Sequence, residues 1–419
     1  MVESPPGPYD LCIVGGGPAG LACAIASAQR GLRVAVLDAM RPPIDKACGE
    51  GLMPDSLAAL AQLGIAFEES LEAPNKITSP TPGHPLTGIR FLSADGKLQT
   101  QATFPHSSGR GIRRLHLHQL LVDRALTLNV DLHWQTVVQN IKLLEPGAPE
   151  TGAGNSAPSV LIQTSRGPIA ARYLVGADGH ASRVRTWAHL DRSAFSNRRL
   201  ALRQHFTQTP WTHHVEVHWS AHGQAYVTPI APDQVCVAFV SRDRLATVPA
   251  ALAHFPALQT RLATATPSGK PRGAVTFSRK LHRVTHGPIA LLGDASGSVD
   301  AVTGEGLALA FRQSLALAEA LSANDLSLYQ RAHTRLRRLP HLMASTMLLL
   351  DRSPRLCAAS LTLLARYPGL FARLLALHLG ERFFRWSAQN SAPTNGRTTR
   401  RGRHTAKWSP PAHSAFPDN

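Results

Sequence analysis

The residues whose types and spacing could do chemistry gather in a few short stretches. Gly15-Gly16-Gly17-Pro18-Ala19-Gly20 carries glycines at the spacing GxGxxG. That spacing suits a phosphate cradle. Gly15 permits a tight turn, Gly17 lets a pyrophosphate approach the backbone, and Gly20 lets a helix pack closely on a strand. Pro18 and Ala19 open that helix, whose free N–H groups and positive dipole end face the phosphates. Asp38 follows Gly20 by 18 residues and can accept hydrogen bonds from ribose hydroxyls. Alone, this pattern calls for a dinucleotide and does not separate FAD from NAD.

Three further stretches carry glycines beside polar groups. Asp178-Gly179 lies within Gly176–Arg185. Asp178 can hold a loop through backbone N–H bonds and Gly179 allows close approach; an Asx-turn after a buried strand fits the same residues. Gly293-Asp294-Ala295-Ser296 is followed by Gly304-Glu305-Gly306. Between the glycine loop and Gly176, Lys46–Met53 contains Cys48-Gly49-Glu50-Gly51-Leu52. Gly49 and Gly51 would let the backbone lie flat against a ring system. Cys48 is the one candidate catalytic side chain; a ring neighbour, a substrate contact and a plain buried small residue are its other readings. No second cysteine sits four or five residues away, so a redox-active disulfide is not expected. No cysteine or histidine cluster has metal-site spacing, and no His/Asp/Ser set forms a catalytic unit.

Taken together, these stretches resemble the flavoproteins that include p-hydroxybenzoate hydroxylase-like aromatic monooxygenases and geranylgeranyl reductases. The resemblance covers residues 9 to about 320. It implies that the dinucleotide is FAD, with Gly15, Gly17, Pro18, Ala19, Gly20 and Asp38 at its ADP half. It places Asp178 and Gly179 near the pyrophosphate, Asp294 on a ribityl hydroxyl, and Gly304 and Gly306 at the flavin N1–C2=O edge. Arg114, Leu117 and Leu121 resemble a helix whose arginine contacts FAD, and Val138 falls where a backbone contact to adenine is made. Two positions depart from the hydroxylase pattern: Gly297 stands where a histidine is usual and Ala301 where a proline is usual. The Cys48 loop is closer to the reductase branch.

The elements that must position these residues follow from periodicity. Residues 9–14 read as a buried strand, 18–30 as a helix ended by Gly31, and 33–37 as a second strand, which completes a βαβ unit. Residues 114–128 read as an amphipathic helix, 288–292 as a buried strand and 304–321 as a long helix. Residues 200–240 alternate apolar and polar, with Val215, Val217 and Trp219 on one face and Glu216 and His218 on the other. Segment 73–87 reads as loop, and Pro146 to Pro158 as a hairpin insert. The expected fold is α/β: a Rossmann-like FAD-binding domain interleaved with a β-sheet substrate domain, plus C-terminal helices. The FAD-binding part comprises 1–72, 111–199 and 286–325, and the substrate sheet 73–110 and 200–285. His205, Trp219 and Tyr226 are candidates for the substrate pocket. Residues 326–389 are helical, punctuated by Pro340, Pro354 and Pro368, and 390–419 read as a disordered basic tail.

The chain has 419 residues, enough for two lobes, and a formal net charge of +17. Residues 391–419 hold five basic side chains against Asp418, a net of +4, so the remainder carries +13. Such a field favours cofactor phosphates or acidic lipid headgroups. No nucleic-acid recognition motif accompanies it, so no specific nucleic-acid partner is expected. Five irregularly spaced cysteines give no disulfide framework, and a cytoplasmic setting with peripheral membrane contact is expected.

The expected reaction is NADH- or NADPH-dependent hydroxylation of a small apolar molecule, aromatic or polyketide-like. Reduction of prenyl double bonds is the alternative, and a non-catalytic nucleotide- or membrane-binding scaffold a third reading. Halogenation is disfavoured, because the Trp-x-Trp motif of flavin halogenases is absent.

Overall fold

Short apolar strands separated by helices form a parallel sheet, since each helix returns the chain to the same starting edge. In the computed structural model, Tyr9–Val14 pairs in parallel with Val34–Asp38 on one side and Gly167–Gly176 on the other. Asp131–Trp134 and Ile289–Leu291 extend this sheet outward, both in parallel. The description covers residues 8–67, 82–105, 107–144, 157–243 and 247–379. The expected basic tail, and most of the expected loop at 73–87 and insert at 146–158, lie outside it.

Parallel pairing has one consequence that matters most. The strands end together, at Val14, Asp38, Gly176 and Leu291, so the segments that follow them emerge on one edge. Those segments are the glycine loop, the turn after Asp38, Asp178-Gly179 and Gly293-Asp294.

Helix α1 (Pro18–Ala28) leaves the glycine loop with Pro18 at its first position, where a missing N–H costs nothing. Its alanines let it sit close to the sheet and to a later helix. Helices α2 (Pro54–Gln62), α3 (Arg114–Thr127) and the short α4 (Arg183–Trp187) follow along the chain. The core here is made by Leu11, Ile13, Leu21, Ile25 and Leu37.

A second sheet of seven strands runs in the order Thr266–Leu281, Ser193–Thr207, Gln234–Ser241, Gly223–Ala231, His214–Ser220, Gly88–Ser93, Gln99–Thr103. Its two faces pack differently. Phe206, Val227, Val237 and Phe239 bury against α5 (Val248–Leu252) and α6 (Pro256–Arg261). Phe91, Val215, Val217 and Trp219 face the C-terminal helices. The expected alternation holds for Val215, Val217 and Trp219, but Glu216 and His218 are buried too. Trp211 Nε1 and His218 Nε2 both bond the Glu216 carboxylate, which supplies the partners that burial demands.

Helix α7 (Gly306–Ser322) packs on α1, and Ser314 Oγ donates to the Ala19 carbonyl between them. Next come α8 (Leu326–Arg352), α9 (Pro354–Arg366) and α10 (Pro368–His378). Pro354 and Pro368 start helices, as their missing N–H groups allow. Pro340 differs: it lies inside α8, which continues through it. Packing holds α8 there. The Tyr329 hydroxyl donates to the Leu291 carbonyl, and the buried Arg337 guanidinium donates to the carbonyls of Ser296, Arg279 and Ser298. A second buried cation, Arg199, bonds Asp300 and Gln224 and lies 3.7 Å from Asp351 on α8. No described helix is long and apolar enough to cross a membrane.

Arg337→Ala removes a side-chain donor from three carbonyls, of which that of Ser298 keeps a backbone partner, the Arg279 N–H. The expected cost is roughly 3 kcal/mol or more, read as a lower thermal midpoint; an unchanged midpoint would show that α8 is held by apolar packing alone.

Candidate functional site

The glycine loop owes its shape to contacts within the protein. Gly15 has φ +111°, and a side chain there would overlap the Ala177 carbonyl; one at Gly20 would overlap the Gly15 carbonyl. Gly17 is different. A Cβ there would meet nothing within 4 Å. The loop therefore needs Gly15 and Gly20 for its own fold and leaves Gly17 facing open space, as a bound pyrophosphate requires. Gly304 and Gly306 face open space in the same way. Asp38 uses its carboxylate on the loop: Oδ2 accepts from Gly16 N–H at 2.7 Å and Oδ1 from Met40 N–H at 2.7 Å. The His118 ring donates to the Gly16 carbonyl at 2.9 Å.

These features border a cavity of about 820 Å³. Of the residues singled out from sequence, Gly17, Pro18, Ala19, Cys48, Arg114, Gly179, Asp294, Gly304 and Gly306 line it. Gly15, Gly20 and Asp38 shape the loop from behind. Val138 and Asp178 also lie outside the cavity. The Val138 carbonyl accepts from Arg183 Nη1 at 3.4 Å. Asp178 Oδ2 accepts the backbone N–H groups of Arg183 and Val184 at 2.8 and 3.2 Å, so its visible role is the Asx-type cap of α4.

Arg114 is no surface arginine. It is buried at the start of α3, one of its terminal nitrogens has no partner, and burial lowers its pKa. A buried cation with an unused donor, aimed into a cavity between glycine-lined walls, suits an anionic or hydroxyl-rich cofactor. Asp294 stands across from it, 3.2 Å from His180. The residues present therefore fit FAD: Gly17 and the α1 N-terminus for the phosphates, Asp294 and Arg114 for the ribityl region, and the α7 N-terminus for the ring.

The loop at 46–53 forms another wall. Glu50 adopts a left-handed backbone at φ 59°, unusual for a side chain of this size. Several contacts hold it there. Its carboxylate accepts from Arg114 N–H at 3.0 Å and from His205 Nε2 at 2.7 Å, and Arg203 lies 3.7 Å away. Arg203 Nη2 also donates to both oxygens of Asp45, at 2.8 and 2.9 Å. Glu50, His205 and Cys236 bring ligand-type atoms within 4.8 Å of one another. The Arg203 guanidinium against them and the hydrogen bonds already made mark this as a salt-bridged anchor, not a metal cradle.

Cys48 lines the cavity, but burial pushes its thiol up in pKa. Its sulfur accepts from Glu50 N–H at 3.4 Å. A protonated, engaged thiol is a wall and not a nucleophile. Two of the three pocket candidates are corrected as well. His205 sits behind the loop on Glu50, and Trp219 packs edge-on to Phe91; only Tyr226 reaches the cavity, its hydroxyl donating to the Val302 carbonyl at 2.9 Å. The departures at 297 and 301 have local reasons. A side chain at Gly297 would crowd Arg337 and the Arg279 carbonyl, and Ala301 begins a short 3-10 turn capped by Asp300.

Sequence reasoning passed over Glu305. It sits between Gly304 and Gly306 at the mouth of α7, buried, with Oε1 3.6 Å from His378 Nδ1 of α10. Burial, then the nearby Asp55 carboxylate, pushes its pKa up to about 8, against the pull of Arg312. His378 is pushed down to about 4 by burial and then Arg312. At neutral pH a neutral carboxylic acid therefore faces a neutral imidazole beside the ring end of the site. An acid flanked by two glycines was the available signal.

With these positions placed, similarity to known proteins can be weighed. The family described as FAD binding domain matches residues 8–326. The chain is 51% identical over 57 residues to a menaquinone reductase from Mycolicibacterium smegmatis, a stretch that covers 14% of each chain. It is 27% identical over 179 residues to a rifampicin monooxygenase from Streptomyces venezuelae, covering 42% of this chain and 33% of that one. These matches span a third or less of the relatives' length. The structure of p-nitrophenol 4-monooxygenase from Pseudomonas putida superposes with TM-score 0.71 at 17% identity, covering 89% of this chain and 98% of that one, which shows a shared fold.

Two outcomes are expected. Gly17→Val keeps the fold, because its Cβ meets open space, but purifies without flavin; Asp294→Ala lowers flavin occupancy. Full flavin absorbance in both would place the cofactor elsewhere. The second concerns pH. Glu305 binds its proton more tightly folded than unfolded, so its contribution to stability is complete below about pH 4.5 and is lost as pH rises through about 8. His378 acts oppositely, losing stability as pH falls from 6.5 to about 4. Thermal midpoints of Glu305→Gln should thus gain on the wild type as pH rises from about 4.5 to about 8; parallel curves would contradict the raised pKa.

Proposed function

The chain belongs to the FAD binding domain family, and from that premise we propose that it is an FAD-dependent monooxygenase of a long apolar molecule, aromatic or polyketide-like. One observation carries the reading: a single cavity joins the glycine-lined cofactor walls to an apolar chamber. Phe91, Val217 and Tyr226 from the second sheet, Met347 from α8 and Phe371 and Leu375 from α10 make its walls. Such a chamber selects by shape and burial, with few polar groups to fix orientation.

FAD, when bound, supplies electron transfer from NAD(P)H and activation of dioxygen. The balance is one substrate C–H, one dioxygen, one NAD(P)H and one proton in, and one C–OH, one water and one NAD(P)+ out. The protein's own residues bind, orient and exclude. With FAD bound, the N-terminal dipole of α7 and the Gly306 N–H, which line the cavity, would stabilise negative charge added to the ring. Arg203 and Glu50 fix the loop at Cys48 against the second sheet, which closes the chamber beside the ring. The C-terminal helices supply the apolar roof of the chamber.

A second reading, reduction of a prenyl double bond, is favoured by the match to the menaquinone reductase and by the Cys48-Gly49-Glu50-Gly51 loop. The chemistry differs by a hydride and a proton added across a carbon–carbon bond. Mass spectrometry of the product from lipid-tailed phenols and prenyl quinones separates the two. A gain of one oxygen with NAD(P)H and dioxygen consumed together is the expected result. A gain of two hydrogens under anaerobic conditions selects the reductase, and NAD(P)H oxidation that no such molecule stimulates sinks both.

A further inference from the structure

Large apolar side chains that face solvent concentrate in one region. Among the described residues, eight of the fourteen lie between Leu342 and Leu377, seven on α8, α9 and α10 and Tyr367 at the junction of the last two. Their order is regular: Leu342 and Leu349 on α8, Leu356 and Leu363 on α9, Leu370 and Leu377 on α10. Each pair is seven residues apart, two helical turns, and so shares a helix face. The opposite faces of the same helices are already used. Ala344 and Leu348, Leu361, and Phe371 and Leu375 bury against the second sheet and each other. These helices are thus apolar on two sides, and a core accounts for only one.

Charge on this region has a single exposed sign. Helices α8–α10 hold eight arginines and one acidic residue, Asp351. Asp351 is buried and engaged by Gln224 and Arg242, so it does not offset the arginines at the surface. Arg352, Arg355, Arg366 and Arg373 are exposed among the leucines. Apolar side chains interleaved with cations match a layer that offers hydrocarbon just beneath anionic headgroups.

The cavity opens here. Leu342, Leu363, Leu370, Leu374 and Leu377 are both exposed and part of the cavity wall, with Leu342 62% and Leu377 58% accessible. A leucine-rimmed mouth in contact with water would be a poor entrance for a substrate that is itself dissolved in lipid. In contact with a bilayer it is continuous with the substrate's own solvent.

We propose that the α8–α10 face docks on an anionic lipid bilayer without crossing it, and that the apolar substrate passes from the bilayer through this mouth into the cavity. The docking follows from the helices alone; the passage rests on the apolar-substrate reading above.

The test uses the full-length, flavin-loaded protein and vesicles of phosphatidylcholine with or without phosphatidylglycerol. Sedimentation with the anionic vesicles, weakened by salt, is expected. Leu349→Glu with Tyr367→Glu alters exposed side chains outside the cavity wall, so flavin absorbance should be unchanged while partitioning falls roughly tenfold or more. Arg355→Gln with Arg366→Gln, which spares the apolar side chains, should weaken anionic binding roughly fivefold or more and leave neutral vesicles unaffected. Undiminished binding by both variants would overturn the proposal, since another part of the chain would then hold the membrane. So would absence of vesicle binding together with a self-associated wild type that the first variant makes monomeric, since a second copy would then cover the face. Vesicle binding with no product from any lipid substrate supports the docking and overturns only the proposed function; turnover of detergent-dispersed substrate without vesicle binding does the reverse.

Discussion

The site depends on one constraint: the parallel pairing of Tyr9–Val14 with strands on both sides. A strand flanked in parallel must end where its neighbours end. The chain therefore has no choice about bringing residues 15–20, 38, 177–179 and 293–294 to one edge. The close contacts at that edge then exclude side chains at particular positions. Gly15 fits beneath the Ala177 carbonyl and Gly20 beneath the Gly15 carbonyl. Hydrogen bonds bolt the two cavity-lining helices to the same place: Ser314 of α7 reaches the Ala19 carbonyl of α1, and Gln313 accepts from Gly293 N–H. The N-termini of α1 and α7 open on one cavity, and the middle of α7 is tied to the first turn of α1 by Ser314 and Ala19.

What could be read from sequence was whatever short-range geometry dictates. The βαβ unit, the Pro18 start, the helix at Arg114 and the meander at 200–240 each follow from local periodicity or capping, and they stand in the structure. The glycines were readable because tight turns and phosphate approach need them. Side-chain partnerships across long separations were not. His205 looked like a pocket residue because strand alternation gives a face but not what stands opposite it, and 155 positions separate it from Glu50. Cys48 looked chemically available because sequence reports neither the Glu50 N–H that its sulfur accepts nor the raised pKa of its thiol. Pro340 looked like a helix end because local propensity omits Arg337, which grips three carbonyls one turn earlier.

The unread part shares a theme. Cations from the second sheet close the structure around the cofactor walls: Arg203 to Asp45 and Glu50, and Arg199 to Asp300 and toward Asp351. Buried pairs of this kind add little net stability, because desolvation offsets much of the attraction. What they add is geometry. Arg203 sets where the Cys48 loop meets the second sheet, and Arg199 sets where α8 meets the turn at Asp300. Apolar packing could hold these elements together but would tolerate sliding; directional contacts fix a chamber wall to within a hydrogen bond.

Charge and burial are then distributed in a way that one substrate class explains. Inside, Glu305 and His378 are held neutral beside the Gly304 and Gly306 wall of the cavity, while Arg114 and Asp294 line its glycine-rich end. Outside, the helices that roof the chamber carry arginine and leucine together and almost no acid. A polar substrate would want the reverse, with charges within to fix it and few exposed leucines without. The roof is apolar on both faces, with leucines shared between chamber wall and surface. Part of the basic excess, which by composition alone fits any anionic partner, lies on these helices.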